Sequence, residues 1–183
     1  MIKAYTVLPE GYERSKVLDL EKNRKLFWFL NIASIVIFIP FLPAFFNHIE
    51  YAQPLSLILY LPLMILNIVV HELIHAAFFK LAKGVNIKFK FHGFAASASS
   101  PDTYFKKWHY FAVGLAPFIV LNLIYIPFFI FAPLHLISLA AVLLGNHLSS
   151  CIGDYIVSIY LLRYKPSTLV KDYGVGMEFY RKS

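Results

Sequence analysis

Two histidines and a glutamate stand close together in the stretch His71-Glu72-Leu73-Ile74-His75. On a helix, histidines four positions apart project from one face, so His71 and His75 can bind one zinc ion together. Glu72 is then placed to take a proton from a water molecule that the zinc polarises. The spacing therefore predicts a metal site with Glu72 as its general base.

The surroundings of this motif are apolar on both sides, with the runs 65–70 before it and 76–79 after it. The alternative interpretation is a helix end that carries two incidental histidines. That alternative leaves Glu72 in a lipid environment without a role, and a carboxylate there is costly and usually functional. The setting favours the metal interpretation.

The composition places the chain among membrane proteins. Of its 183 residues, 59% are hydrophobic and only 15% are charged. A soluble protein of this size could not bury that much apolar surface. The single cysteine, Cys151, excludes an internal disulfide.

The gaps between charged residues define the apolar segments. From Trp108 to Leu162 the only charged residue is Asp154, and a continuous helix of that length would measure about 80 Å. Because a bilayer core is about 30 Å thick, this run must fold back, and Pro133 is the natural break. We expect an all-α membrane protein, one domain over residues 1–183, with about four transmembrane helices. The expected spans are 26–46, 55–82, 108–131 and 135–162.

The 17 Lys and Arg residues all lie before the first span, from the end of span two to the start of span three, or after span four. The positive-inside rule then predicts a multi-pass protein of the cell membrane whose N-terminus and C-terminal tail, 164–183, are cytoplasmic. This distribution explains the net charge of +7 by topology and by attraction to the lipid bilayer. Nucleic acid is not expected as a partner.

A catalytic zinc needs a third protein ligand, and Asp154 is the only other carboxylate inside the spans. Spans two and four run in the same direction. His71 and Asp154 each lie nine residues before a basic residue, so both are about 13 Å from the cytoplasmic end. The alternative, a buried polar partner for Asp154, lacks a Lys or Arg at that depth. We expect one zinc per chain, held by His71, His75 and Asp154.

His147 is the alternative ligand, because it shares a helix face with Asp154 seven residues later. It lies about 10 Å further toward the outer leaflet, which favours contact with a ligand residue rather than with the metal, or no role at the site.

The connection between spans two and three alternates apolar and polar residues, which is typical of a half-exposed strand. We expect a cytoplasmic-side β-hairpin over about residues 85–100, turning at Gly93. One interpretation is an interfacial hairpin whose apolar face dips into lipid. The other is a strand edge that pairs with an unwound substrate. The apolar residues of that strand are Val85, Ile87, Phe89 and Phe91. The stretch 173–180 is a further candidate strand.

An HExxH helix with an aspartate two crossings later resembles the site-2 protease type of intramembrane zinc metalloprotease. Within that type the chain is similar to the small bacterial membrane proteins of the putative zincin peptidase family. The resemblance covers spans two to four, with span one as an addition. It implies a zinc-binding aspartate beside a glycine, here Gly153-Asp154, preceded by an asparagine, here Asn146. Here the glycine precedes the aspartate and His147 replaces a proline.

The expected function is zinc-dependent hydrolysis of a peptide bond in a membrane protein or peptide substrate. No residue stands out as the oxyanion stabiliser, and Asn146 is the candidate. Two alternatives remain at this point: a metal-binding membrane protein that senses or transports an ion, and a degenerate protease that acts as a binding module. Both leave Glu72 without a chemical role. The sequence does not predict an oligomeric state.

Overall fold

The computed structural model describes residues 4–19, 22–51, 54–91, 96–131, 133–174 and 176–183. The helices are α1 (Arg24–Phe38), α2 (Leu42–Tyr51), α3 (Pro54–Leu81), α4 (Lys107–Phe131), α5 (Leu134–Ser150) and α6 (Ile152–Leu162), with a 3-10 turn, Ile39–Phe41, between α1 and α2. The strands are β1 (Tyr12–Asp19), β2 (Lys88–Phe91), β3 (Ala96–Ser99), β4 (Tyr104–Lys106), β5 (Leu169–Asp172) and β6 (Gly176–Lys182).

Three helical segments of the described chain are long and apolar enough to cross a membrane: Arg24–Phe46, Tyr60–Leu81 and Lys107–Phe128. Helices α5 and α6 form a fourth apolar segment that is bent by 41°, and it counts as a span if the bent pair crosses as one. The hydroxyls of Ser149 and Ser150 donate to carbonyls one turn back, at 2.7 and 2.9 Å. Such back-bonding bends helices, which accounts for the break at Cys151.

The expectation of an all-α fold is wrong. Strands β1, β6, β5 and β4 form an antiparallel sheet in that order, and β2 and β3 form a second one. The four-stranded sheet lies at one end of the helices, because β1 and β4 lead into α1 and α4 and β5 follows α6. β1 carries four charged residues among its eight, so its composition resembles that of a solvated tail. Its partner β6 is more than 150 residues away, beyond the reach of a local pattern.

The sheet is fixed to the helices by one cluster of buried side chains. Phe105 and Phe179 come from the sheet and are fully buried, as is Leu161 of α6. Phe79 of α3 and Tyr110 of α4 complete the contact. The end of α3, the start of α4 and the end of α6 are therefore packed together against the sheet.

The hairpin predicted over 85–100 corresponds to β2 and β3, with Phe89 opposite Ala98. The first strand begins at Lys88, so Val85 and Ile87 precede it. Its predicted turn at Gly93 lies in 92–95, outside the described residues. β3 packs against α3, whereas the residues of β2 are exposed. The candidate strand at 173–180 overlaps β6.

Candidate metal centre

Helix α3 presents His71 and His75 one turn apart, and the first turn of α6 presents Asp154 to both. The Nε2 atom of His71 lies 3.2 Å from one carboxylate oxygen of Asp154, and Nε2 of His75 lies 3.3 Å from the other. Both imidazoles are buried. Asp154 lies three residues after Cys151, where the two helices α5 and α6 meet at a bend.

The spacing of these atoms fits a small tetrahedral cation. Ligand atoms held about 2.0–2.2 Å from zinc in a tetrahedron lie about 3.3–3.6 Å from one another. The distances of 3.2 and 3.3 Å, each to a different oxygen of Asp154, are close to the short end of that range. A charge-assisted hydrogen bond is shorter, about 2.7–2.9 Å. All three residues offer ligand atoms within 4.8 Å of one another. The donor set therefore fits zinc.

The Nδ1 atoms of the two histidines have different neighbours. His75 Nδ1 lies 3.0 Å from the carbonyl oxygen of Val113 on α4, the usual arrangement behind a metal-binding histidine. With the proton on Nδ1, the Nε2 lone pair of His75 points toward Asp154. His71 Nδ1 lies 3.9 Å from Sγ of the fully buried Cys151. Cys151 thus packs behind His71.

Glu72 is held by the hairpin. Its Oε2 accepts a hydrogen bond of 2.6 Å from the backbone N–H of Ala98 in β3. The carboxylate lines the same cavity as His71, His75 and Asp154. Glu72 is thus beside the three candidate ligands without being one of them.

The cavity has a volume of about 260 Å³ and two kinds of wall. Beside the polar groups, Leu26 and Leu30 of α1 line it together with Ile156 and Val157 of α6. Leu26 and Leu30 are one turn apart, so they lie on the same face of α1. The cavity can therefore accommodate an apolar group of a ligand beside its polar side chains.

The corner between β5 and β6 closes part of the cavity through Asp172 and Gly174. Asp172 accepts hydrogen bonds of 2.7 Å from the Tyr110 hydroxyl and 2.7 Å from the Gly174 N–H. Burial raises the pKa of Asp172 to about 6, while these two donors act in the opposite direction. Both oxygens of Asp172 thus accept hydrogen bonds, which hold the corner between β5 and β6 against α4.

Asn146 and His147 do not line this cavity. The side-chain oxygen of Asn146 accepts a 3.0 Å hydrogen bond from Asn67, so it is engaged between α5 and α3. The His147 ring stacks on Tyr125, with centroids 5.9 Å apart, and lies 5.9 Å from the ring of His71. Neither residue is brought to Glu72.

None of the strand residues singled out in the sequence lines the cavity beside Glu72. Phe89 and Phe91 lie on the exposed β2, and Val85 and Ile87 come before it. β3 packs between β2 and α3, so β3 is the strand that meets the site.

Sequence reasoning missed Ala98, Val113 and Asp172. The first two act through backbone atoms, which any residue type supplies, so no sequence signal marks them. Asp172 stood in a tail that gave no indication of reaching the helices.

Comparison with known proteins identifies the family of this chain. The model of the family described as "Putative zincin peptidase" matches residues 64–169, which is more than half of the chain and includes both the HExxH stretch and Asp154. No match was found among curated proteins or among solved structures. By the family match, this chain is a member of the putative zincin peptidase family.

Proposed function

We propose that this protein is a zinc-dependent peptidase that hydrolyses a peptide bond within the membrane or at its edge. The observation that carries the proposal is the position of the Asp154 carboxylate, which faces both histidines of the HExxH stretch at 3.2 and 3.3 Å. The family match supports peptidase chemistry. The position of the site among apolar helices supports a substrate that reaches it from the membrane.

His71, His75 and Asp154 would hold one zinc ion per chain. When bound, zinc acts as a Lewis acid that makes water a better nucleophile at neutral pH. The Glu72 carboxylate accepts a proton from the attacking water and then delivers it to the nitrogen of the leaving amine. Proton transfer from the water to the leaving group is thereby complete. The N–H of Ala98 orients the carboxylate for both transfers.

The substrate is proposed to bind as an extended strand along β3. The Ala98 N–H points to Glu72 rather than into the pairing with β2. Successive residues of a strand direct their backbone groups to opposite edges, so Ala96 and Ala98 face the cavity side. A peptide in a helix has its carbonyls engaged, whereas a peptide paired to this edge exposes one to the site.

The position in the membrane follows from the charges. The ends of α3 and α6 carry Lys80 and Arg163, and α4 begins at Lys107. These ends meet the four-stranded sheet. By the positive-inside rule this end is cytoplasmic, together with both termini.

The proposal is tested with purified protein in lipid nanodiscs and a library of apolar peptides analysed by mass spectrometry. We expect cleavage that a zinc chelator removes and that added zinc restores, because the ligand set releases and rebinds the ion. A protein that binds zinc under these conditions yet cleaves no peptide would instead support a non-hydrolytic metal-binding membrane protein.

A further inference from the structure

A second cavity, of about 210 Å³, lies at the end of α6. It is formed by two chain segments that are far apart in sequence, 163–168 and 181–182. Its wall contains four cationic side chains, three side chains with a hydroxyl and no carboxylate: Arg163, Lys165, Arg181, Lys182, Tyr164, Ser167 and Thr168. We infer that this pocket, hereafter the basic pocket, binds a phosphate group.

Two cations on or beside β1 have carboxylate partners, unlike those of the basic pocket. Arg14 is paired with Glu178 at 2.9 Å and Lys22 with Asp19 at 3.6 Å. Within the described chain, none of the four pocket cations makes an ion pair with a carboxylate. Glu13 lies opposite Arg181 in the β1–β6 register but does not line the pocket. The positive charge is therefore free for an external anion.

The pocket wall is held in place by internal contacts. The buried Lys107 donates from Nζ to the carbonyl of Tyr164 at 2.6 Å, which fixes the turn after α6. The Tyr12 hydroxyl donates to the carbonyl of Ser167 at 3.0 Å. The Arg181 guanidinium lies over the Tyr164 ring, 5.1 Å from its centroid. These contacts hold the backbone at Tyr164 and Ser167 and the side chain of Arg181, so part of the ordering cost of binding an anion is already met.

The location selects the source of the phosphate. The pocket begins at Arg163, one residue after the apolar α6 ends at Leu162. In a membrane-spanning chain this is the depth of the lipid headgroups, where basic pockets bind anionic lipids. We assign the basic pocket to the headgroup phosphate of an anionic lipid such as phosphatidylglycerol. This assignment is independent of the peptidase proposal and of zinc.

The test measures lipid retention by native mass spectrometry of the full chain with phosphatidylglycerol or phosphatidylcholine. Wild type should retain one phosphatidylglycerol in preference to phosphatidylcholine. The double variant Arg163→Gln/Arg181→Gln should bind phosphatidylglycerol about thirtyfold more weakly, on the usual scale for two basic residues near an anionic surface. Lys88→Gln/Lys90→Gln removes two exposed cations from β2 and is the matched control, expected to bind as wild type does.

Inorganic phosphate is the second arm. Displacement of the lipid from wild type by millimolar phosphate would support the same site with a soluble phosphate as a competing source. Arg163→Gln alone, which leaves the Arg181–Tyr164 contact intact, is the second variant in case the double one does not fold. Equal loss of lipid in the arginine and lysine variants, or no lipid preference in wild type, would overturn the inference.

Discussion

At the scale of single residues, the site depends on one carboxylate that faces two imidazoles. Asp154 lies between His71 and His75 at distances that suit a tetrahedral ion. The spacing of HExxH and the fixed rise of a helix were enough to predict that these three residues share a depth. The backbone groups that support them, from Val113 and Ala98, have no residue-type signal and could not be predicted.

Removal of a ligand should remove the metal. We expect about one zinc per chain in wild type, and an affinity more than about a hundredfold lower in Asp154→Ala and His75→Ala, beyond the usual cost of losing an outer-shell partner. Elemental analysis after equilibration with a zinc buffer measures this. His147→Ala tests the alternative group of His71, His147 and Cys151, and it should keep its zinc because the His147 ring lies outside the cavity. Full zinc retention in Asp154→Ala would refute the ligand set.

At the scale of elements, the hairpin and α1 border the cavity into which α3 and α6 place the candidate metal ligands. β3 contacts Glu72, and α1 contributes an apolar wall. The alternating pattern of 85–91 predicted the hairpin, because pairing there is local. It could not tell which of the two strands faces the site, since this depends on packing against α3.

Ala98→Pro removes the N–H that holds Glu72 and breaks no bond to β2. We expect about tenfold lower cleavage at unchanged zinc content, the usual cost of one hydrogen bond to a charged group. Cleavage of a quenched peptide found in the library measures the effect. Ala98→Ser keeps the N–H and should behave as wild type. If the proline and serine variants cleave equally well, the Ala98 N–H has no part in the reaction.

Leu30→Trp should fill the cavity from the side of α1. The larger side chain takes the volume in which an apolar substrate group would lie, so kcat/KM should fall at least about tenfold while zinc binding persists. Ile35→Trp, at a position of α1 that is 63% exposed, is the control and should have no effect. An unchanged kcat/KM in Leu30→Trp would show that α1 does not border the substrate.

At the scale of the whole molecule, the chain combines long apolar helices with a sheet whose strands come from both ends of the chain and from the segment before α4. Hydropathy located the apolar segments because each is continuous in sequence. The four-stranded sheet was missed because β1 pairs with β6 across nearly the whole chain. The Arg14–Glu178 ion pair in that sheet joins residues whose charges, taken separately, indicate only solvent exposure.

The distribution of Lys and Arg predicts which side of the membrane this sheet occupies. In a Cys151→Ala background, cysteines placed at Lys90 and Lys182 should be inaccessible to a membrane-impermeant thiol reagent added to intact cells. A cysteine at Asn47, in the opposite connection, should be labelled. Labelling of the Lys90 position from outside would contradict the proposed topology.

The central claim is that Glu72 moves protons beside a zinc held by the other three residues. Glu72→Gln keeps the size of the side chain and a carbonyl acceptor for the Ala98 N–H, but it cannot accept a proton. Zinc content and cleavage of the same peptide should be measured together on this variant and on wild type. We expect equal zinc and cleavage at least about a hundredfold lower, the usual scale of lost general-base catalysis. Equal cleavage at equal zinc would contradict the account.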